Sequence, residues 1–323
     1  MRRIFMLAAI AAASCASSPQ EASDADARVQ YYSGRIEAHP GVYALHLGLA
    51  QAYLDKARET HDPSFIHAAL AESDASLSLL ESVEGFKMKA RIAAFRHHFD
   101  EALEWAAKAE ALTTADVDDG AIAALKVGAL LGLGRADEAR ALLPARAEDA
   151  DGFHVAAALG HVYAAIGSPD LAAAAFARAA AFAEAEGADQ LAGWAETSAA
   201  GAYLDAGDAA LANPHLERAK GFDADSRFFR THLAERAALE GRPAEALAVY
   251  ERLIAEADDP ELRRRAFLLA RLQGDATRAA AHLVAAERLL RAALDAGESY
   301  ARADLARLRA DADGADVAPR SER

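Results

Sequence analysis

Composition, the spacing of turn signals and the placement of small residues together point to an all-α chain folded as an α-α superhelix of about seven helix-turn-helix repeats. Alanine dominates an apolar fraction of 53%, aromatics are 7%, and β-branched runs are nearly absent. Alanine is the best helix former, so helices are favoured throughout. Helical patterns are interrupted by turn signals at intervals of roughly 33 to 40 residues, a recurrence that a plain helical bundle does not require. Small residues return at matched places on either side of each break, where two helix backbones must approach closely.

The clearest unit runs from Phe153 to Gly187. Its first helical segment carries Leu159, Gly160 and Tyr163, its break is Gly167-Ser168-Pro169, and its second segment carries Ala172, Phe176 and Ala179. Gly160 and Ala172 fall where the two helices cross, with Tyr163 and Phe176 filling the space beside them. This order and spacing resemble the tetratricopeptide (TPR) repeat, a helix-turn-helix unit with a period of about 34 residues. One such unit cannot bury its own apolar face, so the resemblance implies stacked copies on either side.

From the N-terminus, 1–14 reads as an export signal: Arg2 and Arg3 precede a short apolar run, Ile4 to Ala13, too short to span a bilayer as a mature helix. The chain's single cysteine follows in Ala12-Ala13-Ser14-Cys15. This resembles the lipobox of bacterial lipoproteins, with Ala12 standing where that motif usually has Leu. The resemblance implies lipidation at Cys15 and a membrane anchor. Ala16 after the cysteine, rather than Asp, is similar to lipoproteins sorted to the outer membrane, which implies a cell-envelope protein facing the periplasm. An ordinary signal peptide cut after Ala16 is the alternative. Residues 15–26 are small and polar around Pro19 and read as a flexible tether.

Residues 27–310 are expected to form the solenoid. Ala27 to Ala38 reads as a half-repeat before Pro40. The first full repeat has Leu49, Ala50 and Tyr53, then Ala68 and Ala75, with an insertion at Glu59 to Ser64. The second has Phe86, Ala90 and Ala93, a turn at Arg96-His97-His98, then Ala102 and Ala109. The third has Val127, Leu130, Ala139 and Leu143 around Gly134. After the Phe153 unit, the fifth has Ala200, Tyr203, Ala212, Leu216 and Ala219 around Gly207. The sixth has Leu233, Ala234, Ala237, Ala246, Tyr250 and Leu253 around Gly241, with Pro243 suited to a helix first turn. The seventh has Phe267, Ala270, Ala279, Leu283 and Ala286 around Gly274. Ser299 to Arg309 reads as a terminal capping helix, and 311–323 as a disordered tail.

Several function classes lack their residues. The formal net charge of -15 argues against a nucleic-acid partner, because phosphate binding needs a basic stripe. One cysteine excludes an internal disulfide and a cysteine zinc cluster. There is no G-x-x-x-x-G-K-[ST] loop and no H-E-x-x-H, and Gly132-Leu133-Gly134 lies between helical segments and reads as a turn. His97 and His98 point about 100° apart on a helix, and His154 and His161 are two turns apart with no carboxylate beside them, so no metal site is expected. The acidic clusters Asp116-Asp118-Asp119 and Asp258-Asp259 lack calcium-loop spacing. No set of convergent titratable groups reads as catalytic, and no cofactor is implied.

In TPR proteins the first helix of each repeat lines a groove that holds a peptide or partner helix. Carried onto this chain, that face presents Lys87, Arg91, His154, His161, Trp194, Phe228, His232, Arg264 and Arg271. In an acidic protein this stripe is basic and aromatic. Trp, Phe and Arg anchor interfaces, and Arg and Lys suit carboxylates on an acidic segment or a free C-terminus. The expected function is a membrane-tethered periplasmic adaptor that binds a protein or peptide, in the manner of TPR lipoproteins that assist pilus secretins or outer-membrane protein insertion. A regulator of a cell-wall enzyme, or a glycan-binding solenoid using Trp105 and Trp194, is the alternative.

Overall fold

The computed structural model describes residues 25–60, 62–113, 120–144, 147–298 and 300–314. Cys15, the signal and tether segments, the Asp116-Asp118-Asp119 cluster and 315–323 lie outside the described residues. Among the described residues there are sixteen α-helices, one short 3-10 turn and no strand. None of these helices is long and apolar enough to cross a membrane.

In chain order the helices are α1 Ala25–Ala38, α2 Tyr43–Thr60, α3 Pro63–Leu79, α4 Val83–Phe95, α5 Phe99–Leu112, α6 Gly120–Gly132, α7 Ala136–Ala141, α8 Phe153–Ala165 and α9 Pro169–Ala185. They continue as α10 Asp189–Ala206, α11 Ala209–Asp223, α12 Arg227–Leu239, α13 Pro243–Glu256, α14 Pro260–Leu272, α15 Ala276–Asp295 and α16 Ala301–Ala312. The chain divides into two compact units, Met1–Phe229 and Arg230–Arg323. In each unit consecutive helices pack as pairs: α2 on α3, α4 on α5, α8 on α9 and α10 on α11 in the first, α14 on α15 in the second. The core of the first unit is centred on α8, α9 and α10, with Leu159, Phe176 and Ala179 fully buried. The core of the second gathers Ala234, Tyr250, Leu253, Phe267, Leu290 and Leu308.

One turn closes six of the first helices. The first helices of the second to seventh repeats all end with a residue in the left-handed region: His97 (φ 59), Gly134, Gly167, Gly207, Gly241 and Gly274. The next residue donates its N–H five positions back, as in His98 to Ala93 (2.9 Å), Ser168 to Tyr163 (2.8 Å) and Asp208 to Tyr203 (2.9 Å). The left-handed residue itself donates three positions back, so the helix's last free carbonyls are satisfied in each repeat. Some of the helix starts are capped by side chains: Asp208 accepts from Leu211 N (2.9 Å), Asp259 from Glu261 N (2.9 Å) and Asp275 from Arg278 N (2.9 Å).

Four expectations are corrected. Glu59 to Ser64 is expected as an insertion between two helices, but Glu59 and Thr60 continue α2 while Pro63 and Ser64 begin α3. In the first repeat the buried face of α3 is Ile66, Ala69, Ser73 and Ser76, one position on from Ala68 and Ala75. Ser76 Oγ donates to Tyr43 O (3.0 Å), so a serine occupies a place where an alanine was expected. The second helix of the third repeat, α7, has only six residues. Pro144 follows closely, and the residue before a proline disfavours helix. Finally, α16 runs through Asp311 and Ala312, past the expected start of the tail at 311, and Asp311 is buried.

Candidate partner-binding face

The first unit brings three of the expected residues together. His161 on α8, Trp194 on α10 and Phe228 on α12 come from three successive first helices, and the Trp194 ring joins them. Its centroid lies 5.7 Å from His161 and 6.5 Å from Phe228, which stacks nearly parallel to it. Phe153 (5.9 Å) and Phe176 (6.0 Å) complete the cluster. Small residues make the approach possible. A Cβ on Gly160 would lie 2.7 Å from Phe176 Cδ1, so the phenyl ring seats on bare backbone. Gly193 lets α10 pass within 3.1 Å of Phe222 Cβ by the same measure.

Trp194, Phe228 and the neighbouring His154 are half-buried and keep part of their surface open. His161 does not. It is 2% exposed, with Phe176 edge-on at 4.9 Å. Burial lowers its pKa to about 3, so the ring is neutral at neutral pH. Neither of its nitrogens, nor the Trp194 indole N–H, has a hydrogen-bond partner among the described residues.

The basic residues are not the open cations expected. Lys87 is buried, and its Nζ donates to Glu84 (3.1 Å). Arg91 donates to Gln51 on α2 (3.1 Å) and has Glu84 at 3.9 Å. In the second unit, His232 lies 3.8 Å from Glu235. Arg264 donates to Glu261 (2.6 Å) and to Asp311 (2.6 Å), while Arg271 donates to the Asp311 carbonyl and lies over the Phe267 ring at 5.0 Å. Burial works against the Arg264 charge, but the Glu261 and Asp311 carboxylates outweigh it and raise the pKa. Burial likewise works against the Glu261 carboxylate, yet Arg264, Arg265 and Arg307 hold it below the usual range. A guanidinium already held by two carboxylates gains little from a third.

Sequence reasoning missed Phe153 and Phe176 as parts of the cluster, although Phe176 was already placed at the helix crossing. Glu84 and Glu261 were visible three residues before Lys87 and Arg264. Asp311 was not, because it is 47 residues from Arg264. Trp105 is elsewhere and already engaged: its N–H goes to Glu101 (3.0 Å), its ring stacks with Phe86 at 5.8 Å, and the Lys108 ammonium lies 3.9 Å from its centroid.

The geometry defines an α-α superhelix of TPR type. No family model matches the chain, and no curated protein matches it. Among solved structures, the crystal structure of the yeast protein Tom70 is similar, with a TM-score of 0.52 at 13% sequence identity. The alignment covers 96% of this chain and 69% of that one. At that identity the likeness concerns the fold.

Proposed function

We propose that this chain is a protein-binding scaffold, and that the face of the first unit around Trp194 on α10 and Phe228 holds a segment of its partner. The observation that carries this reading is a stacked, partly open pair of large aromatic side chains over a buried core, each from a different repeat. Rigid aromatics at the centre of a patch supply most of the energy of an interface. In vivo the scaffold sits in the cell envelope, anchored by lipid at Cys15 and facing the periplasm, where it acts as an adaptor in assembly of an envelope complex; the apolar run before the lone cysteine supports this part.

Two experiments test the two parts. Trp194→Ala with Phe228→Ala is expected to reduce partner recovery in a pull-down from envelope extract, with each single change weakening binding by about 2 kcal/mol. Equal recovery at matched folding would contradict the face assignment. Cys15→Ala is expected to move the protein from the membrane pellet to the soluble fraction, and unchanged pelleting would remove lipid as the anchor.

A further inference from the structure

The rim of the Trp194–Phe228 face carries one sign of charge. Three segments of the first unit border it, 147–152, 186–189 and 223–228, and each leads into the first helix of a repeat. They run directly into the aromatics. Asp151 stands just before Phe153, whose ring lies 5.9 Å from Trp194. Asp189 opens α10, the helix of Trp194, and Asp225 shortly precedes Phe228. Asp223 packs beside Trp194, since a Cβ on Gly193 would lie 3.6 Å from the Asp223 Cβ. Together the three segments hold seven carboxylates and one base, Arg227. Arg178 reaches the first of them but donates to the Ala150 carbonyl (3.3 Å) and lies over the Phe182 ring at 4.9 Å. Asp149, Asp151, Glu186 and Asp189 are exposed and enter no ion pair among the described residues. Helix capping does not account for the set. Asp189 suits a helix start, but Glu186 closes the C-terminal end of α9 and Asp223 ends α11, where a carboxylate opposes the helix dipole.

We infer that the partner presents a basic segment to this face, with Arg or Lys side chains lying along the open part of Trp194 and their charged heads at the rim carboxylates. The inference rests on the reading of this face as partner-binding, and it reverses the sign of partner that the sequence suggested. Lys87 and Arg91 of the first unit are held by Glu84 and Gln51, so they offer little to a carboxylate. Charge complementarity selects the occupant. An acidic segment would meet a rim of like charge. A purely apolar segment would cover the rings and strip water from carboxylates that gain no partner. An Arg or Lys side chain meets both demands, because its methylene stem covers apolar surface while its head stays at the wet rim. Arg is favoured over Lys, since a planar guanidinium stacks on an indole and pairs with a carboxylate through two N–H groups. The same rim repels phosphate backbones and anionic headgroups, so the occupant is a protein segment.

The test uses the full chain and fluorescein-labelled decapeptides in which Ala alternates with Arg, Gln or Glu, followed by anisotropy. The Arg decapeptide is expected to bind saturably, the Gln decapeptide about tenfold more weakly and the Glu decapeptide not at all. Asp151→Asn, Asp189→Asn and Asp223→Asn together are expected to weaken binding of the Arg decapeptide by about tenfold. The same change of charge at exposed second-helix positions, Asp100→Asn with Glu104→Gln and Asp137→Asn, is expected to alter it by no more than about twofold. That comparison separates the rim from the general attraction of a chain with a net charge of -15. Trp194→Ala is expected to weaken binding by about tenfold or more at matched folding. Equal binding of the Arg and Glu decapeptides, or equal losses from the rim and comparison variants, would overturn the inference. If no decapeptide binds while a partner is still recovered in a manner that depends on Trp194 and Phe228, the charge assignment falls and the scaffold function stands. If the Arg decapeptide binds and Trp194→Ala does not weaken it, the rim acts without the aromatics and the face assignment falls.

Discussion

His161 shows how much one buried side chain can set. A histidine whose pKa is about 3 when folded and 6.5 when unfolded takes up protons preferentially in the unfolded chain between those values. The stability it permits is complete above about pH 6.5 and falls as pH drops toward 3, by about 1.4 kcal/mol per pH unit. His97, lowered to about 4 by burial and then by the neighbouring His98 charge, acts in the same direction over a narrower window. His161→Phe is therefore expected to recover about 2 kcal/mol of the stability lost between pH 7 and 5, measured by urea unfolding at the two pH values. An unchanged pH slope would mean that the ring is solvated. Gly160 is the other residue with an outsized role. Gly160→Leu is expected to cost about 1–3 kcal/mol, because its side chain would run into a Phe176 ring that is 0% exposed and has nowhere to go. A melting temperature equal to the parent's would contradict the crossing geometry.

At the scale of the element, the repeated turn explains why the fold was legible. Left-handed glycines, small residues at crossings and capping aspartates are local signals, each written within a few positions of where it acts. Where a signal was missing or ambiguous, the reading slipped. Ser73 and Ser76 take the place of small crossing residues in α3 without being alanine, so the alanine pattern alone points one residue too early. His97 holds a place that glycine holds in the five other turns, with its ring edge-on to Phe99 at 5.5 Å. Gly207 isolates the backbone contribution, since nothing lies within 4 Å of a Cβ placed there. Gly207→Ala is expected to destabilise by about 1–2 kcal/mol in thermal unfolding, all of it from the φ of 85. No measurable cost would show that the turn does not hold its left-handed form.

At the scale of the whole molecule, the candidate site was legible in part. The aromatic members could be read from the sequence because helical phase places Trp194 and Phe228 on one face. The state of the cations could not, because Arg91 meets a residue 40 positions away and Arg264 one 47 positions away. In the second unit those partners form a structural lattice: Glu261 is nearly buried and binds Arg264 and Arg265, while Asp311 ties α16 to α14. Glu261→Ala is expected to cost about 3–5 kcal/mol by leaving these guanidiniums with too little negative charge, and hydrogen exchange should show the loss in α14 and α16. Protection unchanged in both helices would contradict that role.

The Trp194–Phe228 face is proposed to receive the partner. Site-specific photo-crosslinking in living cells tests it most directly, with a benzophenone amino acid at position 228 and, as the comparison, at the exposed second-helix residue Leu171. A discrete protein adduct formed from position 228 and absent from position 171 is the expected result. Adducts from position 171 alone, or equal adducts from both, would contradict it.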